Sequence, residues 1–132
     1  MKKLVNLSFV SFLFLTFLMT ACVTAPPRSS QNAFKLIQEG RISVKNTQAF
    51  TDCLMDGFDV ASFVLTTAGV RQQRRVEGYR VEVITNSAVL ISADVSDNGH
   101  VKLFESEVAA LVPTTEERNV FAACLKQFQS IN

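Results

Sequence analysis

The side chains able to do chemistry here are few, and the cysteines come first. The sequence holds three Cys and one His and no Trp. Cys53 and Cys124 sit in matching contexts, Phe50-Thr51-Asp52-Cys53-Leu54 and Phe121-Ala122-Ala123-Cys124-Leu125. In each, the Cys falls on an apolar helical stripe one turn after a Phe. Two thiols so placed meet if both stripes pack on one sheet. In an oxidising compartment they are expected to form a disulfide. The plainer alternative is two separate buried thiols acting as small apolar residues. The Cys-X-X-Cys spacing of a redox-active pair is missing.

Catalytic signals are weaker. His100 stands beside the Asp97-Asn98-Gly99 turn and reads as a solvated strand-end residue. No Ser lies in a Gly-X-Ser-X-Gly context, and the phosphate-loop and dinucleotide glycine patterns are missing. With the cysteines committed elsewhere, no metal site and no cofactor are expected. Glu116 and Glu117 open a helix, where capping explains them. Glu105 and Glu107 share a strand face and read as a solvated strand end, and they also carry the alternative reading of a hydrolase using two carboxylates. No catalytic residue is therefore assigned.

Arg71, Arg74, Arg75 and Arg80 cluster around one hairpin and form the candidate partner-binding patch. With a turn at Glu77-Gly78, Arg75 faces Arg80, and opposed like charges destabilise a strand pair. A charged edge that blocks aggregation explains the cluster nearly as well. Phe104 on the polar face either adds an aromatic contact or lies beneath the 33–44 segment.

These residues need elements to hold them. Asn46 or Thr47 can cap a first helix, whose apolar face is Phe50, Cys53, Leu54 and Phe58. Phe63 to Thr67 reads equally as helix or strand. Strands follow at Arg71 to Val76, Tyr79 to Thr85, Ala88 to Val95 and His100 to Glu107, with turns at Glu77-Gly78, Asn86-Ser87 and Asp97-Asn98-Gly99. A three-residue last loop sets Val95 opposite Val101, Ala93 opposite Leu103 and Asp94 opposite Lys102, which keeps apolar residues together, pairs opposite charges and gives Gly99 the left-handed position. Tyr79, Val81 and Val83 then share a dry face with Val89, Ile91, Ala93 and Val95, and Arg80, Glu82, Ser92 and Asp94 share the wet one. Thr114-Thr115-Glu116-Glu117 is a capping box opening a second helix, with Phe121, Cys124, Leu125 and Phe128 on its apolar stripe. Upstream, Phe34, Leu36, Ile37, Ile42 and Val44 give either a short strand or an irregular run. The expected fold is α+β. A four-stranded, mainly antiparallel meander carries an N-terminal and a C-terminal helix on one face, in the order α-β-β-β-β-α.

The remaining chemistry lies at the start of the chain. Lys2 and Lys3 precede an apolar run from Leu4 to Met19, which ends in Met19-Thr20-Ala21-Cys22. The run has the length of a signal segment and is short for a transmembrane helix. Met19-Thr20-Ala21-Cys22 resembles the lipobox of bacterial lipoproteins, with Met19 where most members have Leu; the resemblance covers only the leader. It implies that Cys22 is the lipidation site, that the leader is cleaved, and that the new N-terminus is acylated. Two or more acyl chains anchor stably. Val23, where an Asp would retain the protein at the inner membrane, implies for a Gram-negative host an outer-membrane location facing the periplasm. The alternative is an uncleaved membrane helix with an incidental Cys.

The expected organisation is therefore a signal peptide over 1–21, a lipid anchor and flexible tether over 22–45, and one globular domain over 46–132. Thr24 to Asn32, with Pro26, Pro27, Ser29 and Ser30, has the composition of a linker. Much of the 48% hydrophobic content lies in the leader, so it does not imply a membrane-embedded body. The formal charge of +1 includes Lys2 and Lys3, so the mature chain carries about −1, which gives no nucleic-acid signal. The functional expectation is a non-enzymatic binding or interaction module at the cell envelope, of an accessory, inhibitor, immunity or phage-exclusion type. Its partners are the membrane, through the lipid on Cys22, and an envelope protein, an anionic cell-wall polymer or a lipid. A small envelope hydrolase or a structural subunit of an envelope complex is the alternative.

Overall fold

The structure is a computed structural model that describes residue 28 and residues 30–62, 68–86 and 88–129. The expected leader, the lipobox with Cys22, Phe63 to Thr67 and the Ser87 half of the second turn lie outside the described residues.

The fold is α+β, with one open antiparallel sheet of five strands and two helices. Strand β1 is Phe34–Arg41 and helix α1 is Thr47–Ser62. Strands β2 (Ala68–Arg75), β3 (Gly78–Thr85), β4 (Ala88–Ser96) and β5 (His100–Ser106) follow, and helix α2 is Thr115–Phe128. The spatial order is β1-β5-β4-β3-β2, so β2 to β5 form the expected meander. The expected four strands become five, because β1 pairs with the outer side of β5. The segment assigned to the tether thus supplies an edge strand to the body. A bulge between Leu36 and Gln38 interrupts its alternation, which is why its sequence reads so weakly.

Helix α1 buries Phe50, Leu54 and Phe58, and α2 buries Phe121, Cys124 and Leu125. They meet Val81, Val83, Ile91, Ala93, Val95, Val101 and Leu103 on one sheet face, forming a single core. Phe50 is the hub, with its ring edge-on to Phe121 at 5.8 Å and to Phe128 at 6.2 Å. Cys53 and Cys124 are joined by a disulfide with their Cα atoms 6.1 Å apart. The helices approach so closely that a Cβ on Gly57 would collide with Cγ1 of Val120. Leu125 also crowds Gly40 of β1, 2.7 Å from where a Cβ would stand. Small residues at these two points let α1 rest on α2, and α2 rest on the sheet edge.

The β4–β5 register is the expected one. Val95 pairs with Val101, Asp94 with Lys102 and Ala93 with Leu103, and Gly99 takes φ +84°. The β2–β3 hairpin differs by one residue. Arg75 pairs with Gly78, so Val76 and Glu77 form the turn and Arg80 faces Gln73. The expected Arg75–Arg80 opposition does not occur. Gly78 belongs to the strand because it adopts φ +147° and its backbone presses on the carbonyl of Val95, where any side chain would clash. Val89 also departs from expectation. A bulge near Val83 pairs it with Ile84 on the wet face, and Leu90 enters the core in its place.

The capping box at the start of α2 does not form. Thr114 is the cap residue, but its side chain makes no capping bond. Its hydroxyl instead donates to Glu105 Oε2 at 2.5 Å. Glu117 is buried and accepts a hydrogen bond from the Ser62 hydroxyl at 3.3 Å. Both polar groups are drawn away from the local backbone into tertiary contacts. They fix α2 to β5 and to the end of α1.

Candidate functional site

Strand alternation sends one set of side chains to the helices and the other to the free face of the sheet. Two cross-strand rows define that free face. One runs Arg71, Glu82, Ser92, Phe104, Leu36; the other runs Gln73, Arg80, Asp94, Lys102, Glu39. The charges alternate across neighbouring strands, the arrangement that stabilises a sheet face.

The expected arginine patch is mostly paired. Arg71 reaches Glu82 Oε2 at 2.6 Å, and Glu82 is only 2% exposed beneath it. Arg80 makes a two-pronged contact with Asp94, at 2.6 and 3.1 Å. Arg74 points to the other side of the strand. Its guanidinium lies 4.6 Å from the Tyr79 ring centre and grips both Asp97 oxygens at 2.9 and 3.0 Å. That hydrogen bonding raises the Arg74 pKa above its ordinary value and lowers the pKa of Asp97. Arg75 is exposed and holds no ion pair among the described residues. The four arginines therefore split: three act as structural partners of carboxylates, and Arg75 is left to solvent. A shallow cleft of about 200 Å³ lies between Arg75, Tyr79, Arg80, Asp94 and Ser96.

The sequence gives no hint of the residue that completes this face. Arg28, from the expected linker, lies over the sheet with its side chain 12% exposed. Its guanidinium carbon is 4.0 Å from the Phe104 ring centre and 4.8 Å from that of Phe34. Its Nε donates to the Ser92 hydroxyl at 3.2 Å, and Nη2 lies 3.5 Å from Asp94. Two aromatic rings, a hydroxyl and a carboxylate thus surround one guanidinium, combining cation–π attraction with charge-assisted hydrogen bonding. Burial pulls the Arg28 pKa below its ordinary value and Asp94 opposes that shift; an arginine stays charged throughout the biological range. Phe104, which the sequence leaves with two readings, is the floor of this contact. A lone Arg between Pro-Pro and Ser-Ser carries no pattern by which its partner could be foreseen.

The Glu105–Glu107 pair does not remain a pair. Glu107 passes into a short 3-10 turn, Glu107–Leu111. Glu105 points to the helix side, where Thr114 and Arg118 both donate to Oε2, the Arg118 Nε at 2.9 Å. Burial pushes the Glu105 pKa upward, but these two hydrogen bonds and the positive charges of Arg118 and Lys35 together outweigh it and the carboxyl lies below its usual value. A cleft of about 270 Å³ beside it is lined by Phe34, Lys35, Glu105 and Ser106, and the buried Ser106 hydroxyl has no hydrogen-bond partner among the described residues. His100 contacts the Arg41 guanidinium across β1 and β5, and its backbone N–H donates to the Asn98 side chain.

Among the described residues, no cluster of His, Cys, Asp and Glu is arranged to hold a metal ion. No described helix is long and apolar enough to cross a membrane. Compared with known proteins, the chain matches no protein-family model, no curated protein and no solved structure.

Proposed function

We propose that this protein is a membrane-anchored, extracytoplasmic lipoprotein. It acts as a non-enzymatic interaction module at the cell envelope, held by lipid on Cys22 at an outer membrane and facing the periplasm. The observation that carries the reading is the Cys53–Cys124 disulfide, which ties the two helices across the core. Structural disulfides form and persist in oxidising compartments and are rare in the reducing cytosol. That fits the export signal and the lipobox-like Met19-Thr20-Ala21-Cys22.

The competing hydrolase reading needs a carboxyl group held protonated near neutral pH. Glu105 has the opposite environment, because Thr114 and Arg118 stabilise its charged form. The partner surface is the helix-free face, where Arg75 is the one of the four clustered arginines that holds no carboxylate among the described residues.

Labelled palmitate should enter the protein, and a Cys22→Ser form should fail to mature and should leave the membrane fraction. A chain that takes no label, or a Cys22→Ser form that matures and partitions unaltered, would defeat the proposal. For partner capture from native membranes, Arg75→Glu is the cleaner probe, since reversing Arg80 would also set a carboxylate against Asp94. Undiminished capture by Arg75→Glu would remove this face as the binding surface.

A further inference from the structure

We propose that the helix-free face of the sheet is the membrane-facing side of the protein and rests on anionic lipid headgroups, with the tether clamped to it through Arg28. The proposal rests on the lipid anchor at Cys22 and adds which side of the body meets the bilayer and what that side meets there.

Two independent observations carry it. The first is reach. Arg28 is docked between Phe34 and Phe104 in the middle of this face. Only six residue steps separate it from Cys22 in the sequence. A fully extended chain of that length spans about 20 Å. The chain between Cys22 and the docked Arg28 is therefore short, and Arg28 sits on the sheet face rather than on the helices. A body tied in this way cannot turn its sheet face far from the bilayer.

The second is charge. On this face and its flanks Arg41, Arg71, Arg75 and Lys102 are exposed, against the exposed carboxylates Glu39 and, in the β2–β3 turn beside Arg75, Glu77. Glu82 is buried under Arg71, and Asp94 is held by Arg80 and Arg28. The two inner acids are thus covered by arginines, and the charges that reach outward are mostly positive. A surface built this way is drawn to anionic headgroups, each Lys or Arg close to such a membrane contributing about a fivefold factor in affinity.

The chain has no Trp, so a single introduced Trp reports its own position. The lipidated mature protein is reconstituted in phosphatidylcholine vesicles with and without phosphatidylglycerol, with nitroxide-labelled headgroups as quencher. Gln73→Trp reports the sheet face and Asn119→Trp the outer side of α2. Mass mapping of the same samples reads the lipid on Cys22 and the Cys53–Cys124 disulfide, so anchoring and folding are known for each. With phosphatidylglycerol present, the sheet-face Trp should be quenched several-fold more strongly than the helix Trp. The contrast should shrink without phosphatidylglycerol, in a Lys102→Glu/Arg75→Glu background, and in an Arg28→Ala background. Equal quenching at the two positions of a lipidated, disulfide-bonded protein would overturn this inference and leave the anchor intact. A contrast indifferent to phosphatidylglycerol would overturn the headgroup assignment. Protein without lipid on Cys22 would overturn the anchor and this inference together.

Discussion

At the scale of single residues, Thr114, Glu117 and Glu105 place their polar groups in tertiary contacts in preference to local ones. Glu105 is the clearest case, because its folded carboxyl is stabilised in the charged form by Thr114 and Arg118. Its pKa is lowered on folding, so its contribution is fully present above the ordinary carboxylate range. That contribution is lost as pH falls through the folded value. Wild-type stability should therefore drop on acidification below about pH 4.5, the region where unperturbed Glu titrates. Glu105→Gln should cost about 2 kcal/mol at neutral pH and should flatten that acid limb, as measured by urea unfolding across a pH series. A second expectation concerns Arg28. Arg28→Ala removes the contacts with Phe34 and Phe104 and the bonds to Ser92 and Asp94, and should cost about 1–2 kcal/mol in the same assay. Arg28→Lys should recover only part of this, since an ammonium lacks the flat guanidinium that stacks on a ring and donates in two directions. The wet-face residues Arg80, Glu82, Ser92 and Asp94 were legible from alternation alone. Arg28 was not, since a contact 66 positions away in sequence leaves no local trace.

Among the elements, legibility tracked how many independent constraints agreed. The β4–β5 register follows from the sequence because apolar matching, the Asp94–Lys102 pair and the Gly99 turn all select the same alignment. The β2–β3 hairpin has only its Gly as a guide. That Gly serves the close approach of β3 to β4 instead of the turn, which shifts the hairpin by one residue. The helix faces are legible because Phe50, Leu54 and Phe58, and Phe121, Cys124 and Leu125, follow helical spacing. The capping box misleads because Thr114 and Glu117 have stronger partners across the fold. Helix–helix contact depends on Gly57, whose missing side chain admits Val120. Gly57→Ala gains helix propensity yet overpacks this contact, and the balance should be a loss of about 1–3 kcal/mol. Combining it with Val120→Ala removes the obstructing methyl groups. The double variant should then lose less than the two single losses added together, and a double-mutant cycle measured by denaturant unfolding reads this coupling.

For the molecule as a whole, the decisive bond is covalent. The Cys53–Cys124 bridge spans a sequence separation of 71 and encloses β2, β3, β4 and β5. On the chain-entropy account, a loop of that size stabilises the fold by about 4 kcal/mol. Domains of this size hold only about 5–10 kcal/mol in all. Cys53→Ser with Cys124→Ser should therefore lower the urea midpoint sharply, and reduction of the wild type should have a comparable effect. Strand β1 lies outside the bridged segment, held by its ladder with β5 and by packing of Ile37 and Gly40 against the core and α2. The same placement governs how the protein answers a mechanical pull. Tension applied at its two ends enters through Arg28 and β1, crosses from Cys53 to Cys124 through sulfur, and leaves along α2. The meander between the cysteines lies outside the covalent load path and feels the pull only where β1 pairs with β5. Stretching can peel away the leading strand and the helix ends, while the centre of the sheet stays short until the sulfur link is cut.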